Sequence, residues 1–286
     1  MSTTVVLGAQ WGDEGKGKVT DFFASTADFV VRFQGGNNAG HTIVVGEEKL
    51  ALSLTPSGVL YPECTPVIGS GCVVDLGFLK QELEMLKEKN INTERLVISP
   101  NAHLIMPYHK LLDELIEESL GENKIGTTKK GIGPCYADKI QRKGIRVQDL
   151  LVKDNFDKKV KKNIEEVNLT LTKIYNQPPL IAEKIIDEFD DYIDIVSNHV
   201  EDTSLLIANA IKNNKTLLLE MDVKGSMNIK RLYPDNTFSI FIIPPSLEHL
   251  RERLKNRGTD TKKVIEIRLK RFKQEMAFKN KFDYVM

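Results

Sequence analysis

The stretch Gly8-Ala9-Gln10-Trp11-Gly12-Asp13-Glu14-Gly15-Lys16-Gly17-Lys18 constrains this chain more than any other. It follows the apolar run Val5-Val6-Leu7 and precedes Val19, Phe22 and Phe23, so an apolar strand breaks into glycines and resumes as a helix. Gly12, Gly17 and Lys18 satisfy Gly-x-x-x-x-Gly-Lys. In such a loop the backbone N–H groups cradle phosphates and the lysine reaches the terminal ones. The positive end of the following helix faces the same phosphates. Val19 stands where the usual loop has Ser or Thr to hold Mg²⁺. Asp13, inside the loop, is the carboxylate left to carry the metal.

A chain of 286 residues is one large domain or two, with room for a sizeable core. Lys+Arg and Asp+Glu balance at 40 each, so no global field draws it to nucleic acid or membrane. Its longest apolar run falls far short of the ~18 residues of a membrane span. The N-terminal residues run straight into a strand without a basic n-region. Cys64, Cys72 and Cys135 lack metal-ligand spacing, and their small, odd number points to a reduced, cytoplasmic protein.

Further along, Phe29–Phe33 reads as a second strand, ending in the loop Gln34-Gly35-Gly36-Asn37-Asn38-Ala39-Gly40-His41-Thr42, whose glycines and asparagines let backbone approach a ligand. Residues 43–45 and 50–54 form a hairpin, 67–74 a buried strand or strand pair, 76–89 an amphipathic helix, 96–98 a strand and 106–120 a helix. Ile125–Pro134 is a second glycine-rich loop, with Thr127, Thr128, Lys129 and Lys130 offering phosphate-binding chemistry. A charged, mostly helical middle runs from about 156 to 213, broken at Gln177-Pro178-Pro179. Thr216–Glu220 returns to strand, followed by a helix over 223–232, a strand over 238–243, and a helix capped by Ser246. A basic helix over 262–279 leads to Phe282-Asp283-Tyr284-Val285-Met286, where a strand begins. The alternation predicts an α/β fold with a largely parallel sheet, a strand–loop–helix start, a helical middle region and an α/β C-terminal segment.

The first loop, Phe-Gln-Gly-Gly-Asn-Asn-Ala-Gly-His-Thr over 33–42 and Gly-Thr-Thr-Lys-Lys-Gly-Ile-Gly-Pro over 126–134 together resemble adenylosuccinate synthetase. Thr55-Pro56-Ser57-Gly58 and Arg142-Lys143-Gly144-Ile145-Arg146 fit the same family, and the resemblance is collinear to about Glu220. It implies a purine-biosynthetic ligase that condenses IMP with L-aspartate at the expense of GTP, uses Mg²⁺, and works as a homodimer. Asp13 would be the general base that removes the purine N1 proton, and would bind Mg²⁺ together with the Gly40 carbonyl. His41 would hydrogen-bond phosphate oxygens as charge builds during transfer. GTP would be held by Gly12, Asp13, Glu14, Gly15, Lys16, Gly17, Lys18, Gly40, His41 and Thr42. IMP would meet Asp13, Lys16, Asn38, Ala39, Gly40, His41, Thr127 and Thr128, and Arg142 would reach its phosphate from the partner subunit.

At Glu220 the pattern changes to Glu220-Met221-Asp222-Val223-Lys224-Gly225. This segment, with Ile242–Ser246, Arg253–Asp260 and Phe282–Val285, is similar to the C-terminal half of guanylate kinase. There the region of Arg257 and Arg268 would touch the transferring phosphates, and Asp222 would lie near GMP. The chain therefore divides into a synthetase-like portion, 1–220, and a kinase-like segment, 221–286. Two alternatives stand beside the ligase: a purine-nucleotide-binding chimera without catalysis, and a guanylate kinase-type phosphotransferase. The synthetase's later aspartate and guanine segments do not follow Glu220, which would leave the ligase inactive.

Overall fold

The structure is a computed structural model, and it describes residues 3–8, 16–38, 40–45, 48–124, 126–256 and 262–286. In chain order come β1 (Thr3–Gly8), α1 (Lys16–Ala24), β2 (Phe29–Gly35), β3 (His41–Val45), β4 (Glu48–Leu52), β5 (Thr65–Val74), α2 (Leu76–Glu88), β6 (Val97–Ile98), β7 (His103–Leu104), α3 (Pro107–Ser119) and α4 (Ile132–Ile140). A helical stretch follows: α5 (Val147–Leu150), α6 (Lys153–Lys173), α7 (Ala182–Asp190), α8 (Ile193–His199) and α9 (Thr203–Lys212). Then come β8 (Leu217–Glu220), α10 (Val223–Leu232), β9 (Thr237–Ile242), α11 (Leu247–Asn256), α12 (Lys262–Met276) and β10 (Tyr284–Val285).

One parallel sheet runs β10-β9-β1-β8-β2-β5-β6, and β7 continues beside the end of β5. Strands covered by helices on both faces read as continuous apolar runs, since neither face meets water. Val5, Val6, Val30, Val31, Leu217, Leu218, Leu219, Ile240, Phe241 and Ile242 are accordingly buried. Alternate residues divide between the faces. Val6, Val30, Leu218 and Ile240 pack with Val19 and Phe23 of α1. Val5, Val31 and Leu219 pack with Leu206 and Ile207 of α9 and Ile229 of α10. The segment 67–74 is a single strand inside β5, and the hairpin of β3 and β4 stands apart as an antiparallel pair.

Residues 221–286 extend this sheet without a break. β8 lies between β1 and β2, while β9 pairs with β1 along its whole length, from Thr3 opposite Thr237 to Gly8 opposite Ile242. Val223, Phe241, Leu250, Leu254, Ile265, Leu269, Phe272 and Phe282 form a buried cluster that fastens α10, α11 and α12 to the sheet. Ser246 caps α11 as expected, its hydroxyl accepting the His249 N–H at 3.1 Å.

One charged side chain in the core fixes the connection from β4 toward β5. Glu82 sits on the buried side of α2, 5% exposed. Its carboxylate accepts the backbone N–H groups of Ser53, Leu54 and Thr55 and the Thr55 hydroxyl. It thereby shapes the start of the Thr55-Pro56-Ser57-Gly58 segment. A buried donor left without an acceptor costs about 1–3 kcal/mol. Glu82→Ala, which strands three of them, is expected to lower the unfolding free energy by about 4 kcal/mol. Glu82→Gln, which keeps one acceptor oxygen, should cost less. Urea denaturation measures both, and a loss under about 1 kcal/mol for Glu82→Ala would contradict this role for the carboxylate.

Candidate functional site

In an open parallel sheet, ligands settle outside the carboxyl ends of the strands, where adjacent connections diverge. Here that point lies between β1 and β8. From β1 the chain crosses toward β2 on one side, and from β8 it crosses back over β1 to β9 on the other. The crevice is framed by Gly8 at the end of β1, Glu220 at the end of β8 and Gly35 at the end of β2. Val6 and Arg32 stand opposite Glu220 in the flanking strands.

Two loops meet beyond the end of β2, the strand next to β8. The turn after β2 is pinned by the Arg32 guanidinium, which donates to the Gly36 carbonyl at 2.6 Å and to that of Ser53. Gly36 is needed because a Cβ there would lie 2.6 Å from Ile132 Cδ1 and 2.9 Å from the Val73 carbonyl. Tyr136 of α4 ties the same turn to β5, accepting the Gly35 N–H at 2.8 Å and donating to the Gly71 carbonyl at 2.9 Å. The second loop reaches over through Lys130, whose ammonium donates to the Asn37 carbonyl at 2.7 Å and lies 5.1 Å from the centre of the Phe78 ring. Asn37 is buried, and its amide donates to Asp75 at 3.3 Å. Asp75 in turn caps α2 and pairs with Lys110 at 2.7 Å.

The second loop is shorter than its glycines suggest. α4 begins at Ile132, so Gly133 and Pro134 belong to a helix. Proline is tolerated in a first helical turn, where its missing N–H would have had no partner. Gly131 adopts φ 74°, and a Cβ there would lie 2.8 Å from the Lys110 nitrogen. The expected phosphate chemistry of this loop is also largely spoken for. Lys129 pairs with Glu114 at 2.8 Å, and the N–H groups of Gly126 and Gly131 donate to Glu117 and Asp113. Thr127 and Thr128 remain, and the Thr127 hydroxyl is buried with no hydrogen-bond partner among the described residues. The Asn37 side-chain oxygen shares that condition.

Of the residues expected from the sequence, Asn38, Gly40, Thr127 and Thr128 lie on these joined loops, and Lys18 is exposed on α1. Gly12, Asp13, Glu14, Gly15 and Ala39 fall outside the described residues. Lys16 and Gly17 open α1, and His41 and Thr42 open β3, with only their backbone described. Arg142 is not brought to the loops: it follows the C-terminal end of α4, exposed, in the left-handed conformation at φ 63°. Nine helical residues put roughly 13 Å between it and the second loop. Arg32, Asn37, Asp75, Lys110 and Tyr136 organise the site but carry no sequence signal for that task.

Behind the second loop, His109 and Asp138 form a buried pair at 3.0 Å. The Met106 N–H donates to His109 Nδ1 at 2.9 Å, so the ring proton sits on Nε2 and is donated to Asp138. Burial lowers the His109 pKa despite Asp138, and with both nitrogens committed the ring is structural. The three cysteines are free and buried. No described helix is long and apolar enough to cross a membrane. Among the described residues no group of three ligating side chains can hold a metal.

The fold and the crevice thus define an α/β protein of the class that binds nucleotides at the carboxyl edge of a parallel sheet. A family profile described as adenylosuccinate synthetase matches residues 5–231, and the chain belongs to that family. A guanylate kinase profile matches residues 181–286, overlapping the first from α7 through β8 and most of α10. The synthetase of Carboxydothermus hydrogenoformans is 55% identical over 220 residues, covering 77% of this chain and 52% of that protein. That of Desulforamulus reducens is 52% identical, covering 77% and 51%. The chain spans about half the length of these curated relatives. The structure of fully ligated adenylosuccinate synthetase from Plasmodium falciparum aligns with a TM-score of 0.74 at 32% identity, over 92% of this chain and 70% of that one.

A buried histidine under α4 gives the fold a measurable acid sensitivity. Burial, with Lys139 and Arg146 nearby, pushes His103 down to about 4 from an ordinary 6.5. The folded chain keeps the ring neutral where the unfolded chain protonates it, so this stability is present above about pH 6.5 and is lost as pH falls toward 4. The expected loss at pH 4 is about 3 kcal/mol from this group. Urea denaturation at pH 7, 5.5 and 4 should show a flatter profile for His103→Gln than for the unsubstituted chain. Parallel profiles would refute the contribution.

Proposed function

We propose that this chain acts in purine nucleotide biosynthesis as an adenylosuccinate synthetase-type ligase, joining L-aspartate to IMP with GTP as the energy source. The reading rests chiefly on the meeting of two family loops, through Lys130 and Asn37, beyond the end of β2, next to β8. The first glycine-rich loop leaves β1 at that same edge.

In this reading Asp13 takes the N1 proton of the IMP purine, which makes the 6-oxygen nucleophilic toward the γ-phosphorus of GTP. The P–O bond to GDP breaks as the bond to the 6-oxygen forms, and His41 hydrogen-bonds the transferring phosphoryl oxygens. The aspartate amine then attacks C6 and phosphate leaves. Gly12 to Lys18, Gly40 and Thr42 hold GTP. Lys16, Asn38, Ala39, Thr127 and Thr128 hold IMP. Arg142, at the far end of α4, serves the IMP phosphate of a partner subunit in a cytoplasmic homodimer. The donors this chain offers a metal are the Asp13 carboxylate and the Gly40 carbonyl. They suit Mg²⁺, which takes few protein oxygens and completes its octahedron with phosphate and water. When bound, the ion would neutralise charge on the GTP phosphates.

A second reading, purine-nucleotide binding without turnover, is favoured by the half-length span of the match and by the guanylate kinase match over 181–286. Calorimetric titration with IMP and with GTP·Mg²⁺, followed by an ultraviolet assay for adenylosuccinate, separates the two. Turnover supports the ligase, binding alone supports the second reading, and binding of neither nucleotide rejects both. Phosphorylation of GMP by ATP would instead favour a kinase. If the ligase reading holds, Asp13→Asn should keep IMP affinity and lower turnover by at least about a hundred-fold. Chelation of Mg²⁺ should abolish turnover.

A further inference from the structure

The polar face of α3 is built around the second loop. Lys110, Asp113, Glu114 and Glu117 follow the i, i+3, i+4, i+7 spacing that places side chains on one side of a helix. Each grips one of the two converging loops. Lys110 holds Asp75, which holds Asn37. Asp113 accepts the Gly131 N–H at 2.9 Å, Glu114 pairs with Lys129 at 2.8 Å, and Glu117 accepts the Gly126 N–H at 2.6 Å. Asp113 and Glu117 are 6% and 5% exposed. Asp113 also sits at the N-terminus of α4, whose cap residue, Gly131, has no side chain to offer, so its charge complements that helix's dipole.

The two clamped amides bracket Thr127 and Thr128. The Gly126 and Gly131 amides, held by carboxylates, are not free for a phosphate, and the Thr127–Thr128 segment between them, with its hydroxyls, is what the loop presents. A buried polar oxygen without a partner is costly unless a ligand completes it, and among the described residues the Thr127 hydroxyl and the Asn37 side-chain oxygen have none. We infer that Asp113 and Glu117 are positioning residues that hold the Thr127–Thr128 segment in the shape that receives a nucleoside monophosphate. This rests on the ligase reading for the identity of that ligand, IMP.

The test uses the full chain with Asp113→Ala, Glu117→Ala, Asp113→Asn and Glu117→Gln. Hydrogen exchange of the Gly126 and Gly131 amides, without ligand, reads the clamp directly. Calorimetry with IMP reads its consequence, and GTP·Mg²⁺ serves as the control. Hydrogen bonds to charged acceptors are among the stronger ones, so each alanine variant should weaken IMP about ten-fold or more and speed exchange at its own amide about as much. GTP affinity should stay within about two-fold, since the bonds that Asp113 and Glu117 accept from Gly131 and Gly126 lie on the second loop. Asn and Gln keep an acceptor oxygen and should recover most of the IMP affinity. If an alanine variant fails to fold cooperatively, its amide counterpart carries the test, with an IMP loss of about two- to five-fold at unchanged GTP affinity. Unchanged exchange, unchanged IMP affinity, or equal losses of IMP and GTP would overturn the inference. If the unsubstituted chain binds no IMP, the ligase reading falls, and the exchange measurement alone upholds or rejects the clamp.

Discussion

The backbone hydrogen bonding of β1 is the interaction on which the rest depends. Thr3–Val6 pairs with Leu217–Glu220 on one side, and Thr3–Gly8 pairs with Thr237–Ile242 on the other. A central parallel strand has no edge to expose, so its position is fixed from both sides. Gly8, the last residue of β1, is therefore held at the crevice by strands contributed from the far end of the chain. Val5 and Val6, both fully buried, lock the register, because a slip of one residue would turn each toward the opposite face.

This explains how a chain that matches both family profiles can build one sheet. Strand pairing is made by main-chain groups, so any apolar run of the right length and direction can fill a parallel slot. The alignment to the Plasmodium falciparum enzyme covers 92% of the 286-residue chain, about 263 residues. The synthetase profile ends at residue 231, so the shared architecture runs into the segment whose sequence resembles the other family. Architecture persists where sequence likeness changes, because burial of Leu250, Leu254, Ile265, Leu269 and Phe272 asks only for apolar side chains of suitable volume.

Much of the frame was legible in the sequence for the same reason. Val5-Val6-Leu7, Leu217-Leu218-Leu219 and Phe238–Ile243 are runs that only a doubly covered strand explains, and each became one. The helix of α4 was not legible, since Gly133 and Pro134 punctuate its first turn and local rules read them as loop. Nor was β7, whose two residues gain their strand character from pairing with the end of β5. Glu82 fitted the polar pattern of an exposed helix face, yet it is buried because its acceptors meet Ser53–Thr55, about thirty residues earlier. The loops carrying Asn38, Gly40, Thr127 and Thr128 were recognised as motifs. What joins them, Lys130 to Asn37, is a tertiary contact without a local pattern.

The second loop shows why composition misstates what a site offers. Its two lysines and its glycine amides look like an anion cradle, and in a flexible segment they would be one. In the folded chain Lys129 faces Glu114, Lys130 spans to a carbonyl, and two amides point at carboxylates. Those bonds offset the conformational entropy of ordering the segment, which for a few residues is several kcal/mol. A loop held this way binds less through charge and more through the placement of its hydroxyls. Such placement discriminates among ligands by hydrogen-bond geometry, because a partner that leaves the buried Thr127 oxygen unsatisfied incurs the desolvation penalty in full. In the proposed ligase, selectivity at this loop would thereby be set by α3, an element that need not touch the ligand.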